Sequence, residues 1–308
     1  MSQSTVSLVL SGKGRGRISA RTEEAVRRAA EELGYRPNVA ARALRTGTAR
    51  AVGLVVPDVT HPFFGRVLRG AQAAAWREGY AVVLADAGND RQWELASLAA
   101  LRALTVDGYL FFEVDAPPNE PLRAVAIDTF SRDMPVVRLD SEGGTRAAVS
   151  HLRELGHTRI GHLASEVEAD TFRLRLEAFE EVAGDTGLRE LSAFTVDAAR
   201  SAALRLLHRD DRPTAVFADD DLLAAGALFA ARDLGLSVPG DLSIAGFDDL
   251  ELARLLDPPL TTVAADAEAL GAAAFEALHE SLTGGTPAAE RVMPVELVIR
   301  GSTAPPRD

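Results

Sequence analysis

The 308-residue chain contains no cysteine. That absence removes a disulfide framework, a thiolate zinc site and a thiol nucleophile together. No stretch of eighteen or more apolar residues occurs, and no apolar run flanked by Lys or Arg opens the chain. Neither a membrane span nor an ordinary secretion signal is expected, so the protein is read as cytoplasmic. Nucleophile elbows, phosphate loops and helical His pairs at i, i+4 are also missing. Aspartates cluster at 219–221 and 248–249, but no histidine stands at ligand spacing from them, and an Asp run after a strand is often a helix cap. No metal, no cofactor and no enzymatic activity are expected.

What is present is a division of charge. The formal net charge is −12. Residues 1–50 carry ten Lys/Arg against four Glu, a net of +6, which leaves −18 on residues 51–308. An arm of one sign on a body of the other suits a polyanionic partner for the arm alone.

Within the arm, Ser2 can cap a helix with Gln3 and Ser4 in its first turn and Val6, Val9 and Leu10 as its apolar stripe. Gly12, Gly14 and Gly16, interleaved with Lys13, Arg15 and Arg17, break regular structure and leave N–H groups and cations for phosphates; a flexible connector is the plainer alternative. Ser19 caps a second helix running to Leu33, with Gly34 at its end. In residues 37–47, Asn38 is a cap, Ala40, Ala43 and Leu44 form an apolar face, and Gly47 ends the segment. A helix of about nine residues is marginal alone in water, so it must dock on something unless it is an ordinary linker.

From residue 51 onward short apolar runs alternate with helical stretches. Strands are expected at 51–56, 81–84, 109–112 and 136–139, with helices at 65–77, 92–104 and 122–130. The rhythm repeats with strands at 159–163, 194–196, 215–218 and 242–245 and helices at 145–155, 172–182, 198–207 and 221–234. Such alternation implies an α/β fold of parallel sheets clothed by helices, and its length implies two sheets. Ligands bind beyond the carboxyl ends of parallel strands, so two facing sheets make a cleft. Asp140, Asp219, Asp220, Asp248 and Asp249 follow expected strands, Phe63 and Phe64 follow the first, and Arg175 enters a helix. Carboxylates that accept from vicinal hydroxyls, with ring faces to stack on, suit a neutral polyol. So much carboxylate makes a cationic or amino-bearing ligand the second candidate.

Several motifs in order carry a resemblance over essentially the whole chain. They are Thr5-Val6-Ser7, Ile18-Ser19, Leu33-Gly34-Tyr35-Arg36-Pro37-Asn38, Ala41-Arg42-Ala43-Leu44 and Gly47, then His61-Pro62-Phe63-Phe64, Val106-Asp107-Gly108, Gly156-His157-Thr158-Arg159-Ile160, Gly246-Phe247-Asp248-Asp249 and Leu260-Thr261-Thr262-Val263. The chain resembles the lactose-repressor-type (LacI/GalR) bacterial transcription regulators. That likeness implies a partial helix-turn-helix at 1–36, a hinge helix or linker at 37–48, and a two-lobed periplasmic-binding-protein-like core at 49–308. The N-subdomain is expected at about 49–145 and 266–290, the C-subdomain at about 146–265 and 291–304.

The resemblance further implies a homodimeric, sequence-specific DNA-binding repressor controlled by a sugar or sugar derivative held between the lobes. Ser2, Gln3, Ser4 and Leu8 would lead into the major groove of an operator, with Gln3 suited to an adenine edge and Leu8 to a thymine methyl. Thr5, Ser7, Arg15 and Arg17 would hold phosphates. Paired hinges carrying Asn38, Ala41, Arg42 and Arg45 would enter the minor groove with Leu44 as the wedge. Asp140, Arg175, Asp219 and Asp248 match effector-contacting positions, and Phe63 and Phe64 match the wall. Asp219 departs from the family's usual asparagine, and near Asp197, where an aromatic stacking residue is common, no tryptophan is at hand: Trp76 and Trp93 lie in the first half. The helix starting at Ser2 matches the family's second, recognition helix, and no first helix is read ahead of it. The alternative is therefore a cytoplasmic sugar-binding protein that does not bind DNA.

Overall fold

The computed structural model describes residues 2–10, 16–33, 48–88, 90–112 and 123–307. It divides into two compact units, Met1–Arg50 and Ala51–Asp308. Arg15 and the hinge residues Asn38, Ala41, Arg42, Leu44 and Arg45 lie outside the described residues.

The first unit contains α1 (Gln3–Leu10) and α2 (Ala20–Glu32). Both begin where a hydroxyl can satisfy a free N–H: Ser2 Oγ accepts from Thr5 N, and Ser19 Oγ from Thr22 N. The two helices pack together, with Val9 and Val26 buried. Glu23–Arg27 and Glu24–Arg28 pair at i, i+4 along exposed α2.

The second unit is built on two six-stranded sheets. The first sheet takes β1 (Ala51–Val56), β2 (Ala81–Asp86), β3 (Gly108–Phe112), β4 (Ala124–Ile127), β5 (Val136–Leu139) and β11 (Glu290–Met293), in the order β11-β5-β4-β3-β1-β2. The second takes β6 (Ile160–Ser165), β7 (Arg189–Ser192), β8 (Ala215–Ala218), β9 (Ser243–Asp248), β10 (Thr261–Ala265) and β12 (Val295–Val298), in the order β12-β10-β9-β8-β6-β7. The β10–β12 pair is antiparallel and the other ladders are parallel. Helices clothe them: α3 (Pro62–Arg77), α4 (Arg91–Ala103), α5 (Ser141–Glu154), α6 (Asp170–Ala183), α7 (Val196–Leu207), α8 (Asp221–Asp233), α9 (Glu251–Leu255) and α10 (Ala267–Leu282). The chain changes sheet after Leu139, after Ala265 and after Met293, so α5 packs with the second sheet and α10 with the first.

Two expected elements are corrected. Residues 123–130 are not helical; β4 occupies Ala124–Ile127. All four β4 residues are buried, so no polar alternation marks the strand, and its two alanines read as helix formers until β3 and β5 supply ladder partners. Residues 194–196 are not a strand either. Thr195 accepts from Ala198 N and caps α7, while the strand lies upstream at polar Arg189–Ser192, on the edge of the sheet beside β6.

The α3–α10 crossing closes to backbone contact. A Cβ on Gly70 would lie 1.8 Å from the Glu268 carbonyl oxygen, and one on Gly271 would lie 2.0 Å from that of Val67. Gly70→Ala or Gly271→Ala is expected to cost about 1–3 kcal/mol, because backbone must move apart. Gly65→Ala in the same helix meets nothing within 4 Å, and is expected to stabilise by about 0.5–1 kcal/mol. Thermal unfolding of the three variants checks the contrast.

Candidate ligand site between the two sheets

Beyond the carboxyl ends of both sheets lies a cleft with about 730 Å³ of empty space, its open mouth included. Each wall residue is placed by an element end. Phe63 and Phe64 stand in the first turn of α3, fixed by Pro62 and by the His61 ring, whose Nδ1 accepts the Phe63 N–H at 3.3 Å. Phe112 ends β3 and Asp128 follows β4. From the second sheet come Phe172 and Arg175 on α6, Phe194 ahead of α7, Asp219 and Asp220 after β8, and Asp248 at the end of β9.

Arg175 is the cationic centre and only 3% exposed. Its guanidinium lies 3.6 Å from the centroid of the Phe247 ring and 5.3 Å from that of Phe172. One Nη donates to the Asp219 carbonyl oxygen, the other approaches the Asp248 carboxyl at 3.9 Å, and Nε–H has no partner among the described residues. Asp248 sits at φ 100°, a conformation that Asp and Asn tolerate better than most residues. Burial and the neighbouring Asp220 push its carboxyl up to about 8, against the pull of Arg175 and His61. Burial also raises Asp128, although Leu139 N–H and Arg175 oppose this.

His61 Nε2 and Asp220 Oδ2 meet at 3.1 Å, joining the first lobe to the second. Burial resists charging this ring, but Asp220, joined by the charges of Asp248 and Asp58, outweighs it and raises the ring's affinity for a proton. A proton on Nδ1 would displace the Phe63 N–H. With Nδ1 accepting, Nε2 of the neutral ring is the N–H that donates to Asp220. His61, Asp220 and Asp248 place ligand atoms within 4.8 Å of one another, near enough for a metal ion. A ring that accepts at Nδ1 has no lone pair left at Nε2 for a metal, however, so this donor set fits a proton better than a metal ion.

Phe63, Phe64, Arg175 and Asp248 thus come together as the sequence leads one to expect. Asp219 lines the cleft, but its carboxylate faces the second lobe: Oδ1 accepts from His162 Nε2 at 2.8 Å and Oδ2 from Ser165 N at 2.9 Å. The structure does not bring Asp140 to the cleft, because its carboxylate caps α5 through Gly143 N. Asp220 caps α8 through Leu222 N as expected, yet also reaches His61. Asp249 braces its turn through Arg254 and Arg300. Residues that sequence reading did not single out for the wall are Phe112, Asp128, Phe172 and Phe194; His61 was seen only inside a motif. In the first unit, Gln3, Ser4 and Ser7 lie on α1, Thr5 and Leu8 are half-buried, and Ser2 and Arg17 are exposed.

A two-sheet core with a cleft at the strand ends, preceded by a basic helical unit, defines a protein of the periplasmic-binding-protein-like class. Residues 149–303 match the periplasmic binding protein-like domain, and residues 1–38 match the bacterial regulatory proteins, lacI family. The chain is 32% identical to the HTH-type transcriptional repressor CytR of Escherichia coli (strain K12), over 98% of this chain and 93% of that protein. Among solved structures it is similar to the lac repressor dimer bound to operator and the anti-inducer ONPF (TM-score 0.86, 26% identity, 98% of this chain and 95% of that one). It is also similar to the transcriptional regulator CelR–cellobiose complex (TM-score 0.74, 29% identity, 98% and 96%). The chain belongs to the lacI family of bacterial regulatory proteins. Among the described residues no helix is long and apolar enough to cross a membrane.

Proposed function

We propose that the protein is a sequence-specific DNA-binding transcriptional repressor, working as a homodimer, whose hold on operator DNA is set by a small sugar-like ligand in the cleft. The observation that carries this is the convergence of Arg175 and Asp248 with the ring walls of Phe64, Phe172 and Phe194. Rings supply an apolar face, and the charged pair supplies donors and acceptors for hydroxyl groups. The relatives point the same way: one is a transcriptional repressor, one a repressor dimer on operator and one a regulator in complex with cellobiose.

A ligand touching Phe64 from the first lobe and Arg175 from the second favours whichever lobe arrangement presents both. That differential contact is the coupling free energy allostery requires. No catalytic role is assigned to any residue.

A mobility-shift assay on the DNA upstream of its own gene, with and without ligand, tests the reading. Specific, ligand-sensitive binding is expected; ligand binding without any specific DNA binding would leave only the sugar-binding alternative. Asp248→Ala is expected to abolish ligand-induced thermal stabilisation while operator binding persists. An unchanged thermal shift would remove Asp248 from the site.

A further inference from the structure

The cleft is short of positive charge. Among the described residues, Asp128, Asp220 and Asp248 line it around a single guanidinium, Arg175. Asp221 stands directly behind, buried, accepting from Thr262 Oγ1 and Leu250 N, with its own carboxyl pushed well up by burial and by Asp220. His61 is drawn toward its charged form by Asp220, Asp248 and Asp58, although a proton on Nδ1 must displace the Phe63 N–H; even with the ring charged, Arg175 and His61 face Asp128, Asp220, Asp221 and Asp248. Asp220 and Asp248 are therefore neighbouring acids, and among the described residues the groups that face Asp248 are Asp220, Asp221, Arg175 and His61. The shortage is met by a proton held on Asp248, whose carboxyl lies at about 8.

The walls are suited to a cation as well. His61 contacts Phe64 and Phe194 edge-on at 5.7 and 5.4 Å, Phe64 meets Phe112 at 5.0 Å, and Phe172 meets Phe194 at 5.3 Å. These rings form a continuous lining drawn from both lobes, and ring faces attract ammonium groups. Rings also stack on neutral sugars, so they do not choose between the two; the acids do. Arg175 adds a second requirement, because its buried Nε–H has no acceptor among the described residues and a ligand oxygen would provide one.

We infer that the cleft selects a ligand carrying a protonated amine beside hydroxyl groups, an amino sugar, over its neutral counterpart; this rests on reading the cleft as the effector site. The ammonium takes the place of the proton between Asp220 and Asp248, donating to both, while a hydroxyl oxygen accepts from Arg175. Binding releases the displaced proton to solvent, so charge in the cleft is conserved.

Isothermal titration calorimetry of the full chain against glucosamine and galactosamine, each beside its neutral hexose and its N-acetylated form, tests this. The amines are expected to bind at least about tenfold tighter than both partners. Between pH 5.5 and 7, where the amine is charged, their affinity should rise by up to about tenfold per pH unit as Asp248 is freed of its proton. Buffers of different ionisation enthalpy should report about one proton released per ligand. Asp248→Asn should erase both the preference and the pH slope. Neutral hexoses binding as tightly as the amines, or amine affinity flat with pH, would overturn the inference while leaving the effector-site reading standing. No binding by any of these sugars, with Asp248→Ala silent against a wider panel, would overturn both.

Discussion

Asp219→Ala is expected to cost the core about 3–5 kcal/mol, more than any substitution that reaches the ligand alone. Asp219 is 1% exposed. Its two carboxylate oxygens hold His162 Nε2 and Ser165 N, and its carbonyl oxygen receives Arg175. The alanine variant strands two buried donors. His162 cannot turn to another partner, because it is stacked on Phe179 at 4.6 Å and its Nδ1 is already without one among the described residues. Burial alone would raise the Asp219 carboxyl, but His162, with Arg175 and the Ser165 N–H, outweighs it and holds the group below its ordinary 3.8. A depressed carboxyl contributes stability above its unfolded value and loses it as pH falls through the folded one. Wild type and variant should therefore differ most at neutral pH and draw together only as pH falls below about 4 toward the depressed folded value. Asp219→Asn, keeping one acceptor but setting an amide N–H against the other donor, should cost about 1–3 kcal/mol. Urea denaturation at pH 7 and pH 3.5 measures both; a loss under about 1 kcal/mol for the alanine variant at pH 7 would show that the carboxylate is not structural.

This placement explains what could and could not be read from the chain itself. Positions immediately after buried strands were legible, and that rule alone finds Asp219, Asp220 and Asp248. Direction was not: whether a carboxylate at a strand end faces the cleft or the lobe depends on a partner such as His162, 57 residues earlier in the chain. Asp128 was hidden by taking 122–130 as helix, since an aspartate inside a helix has no strand end to follow. With β4 in place the same rule selects it. Phe194 was hidden likewise by assigning 194–196 to a strand; once Thr195 is the cap of α7, Phe194 falls in the turn at the carboxyl end of β7. The aromatic face sought near Asp197 is thus three residues away, supplied by phenylalanine rather than tryptophan. Asp140 shows the limit of matching by position, for its carboxylate is taken by the helix it starts.

Asp248→Asn is expected to remove the ligand response and, in the same molecule, to change how the ligand-free protein responds to pH. In the folded state the Asp248 carboxyl lies at about 8 against an ordinary 3.8, so folding takes up a proton anywhere between those values. Stability that depends on such a raised group is complete below the unfolded value and is lost as pH rises toward the folded one. The wild type should therefore weaken from about pH 5 to pH 8, by up to about 1.4 kcal/mol per pH unit from this group. Asparagine keeps the left-handed backbone within reach, and its amide N–H can donate to Asp220 as the carboxylic acid does. Lacking a titrating proton, the variant should show a flatter melting temperature across that range and overtake the wild type at its upper end. Melting temperatures at half-unit steps between pH 5 and pH 8, without ligand, measure the difference; parallel curves would mean that Asp248 is already ionised in the empty cleft. The variant should be the more stable protein where the wild type is the more responsive one, because the acid that strains the empty site is the group a ligand relieves.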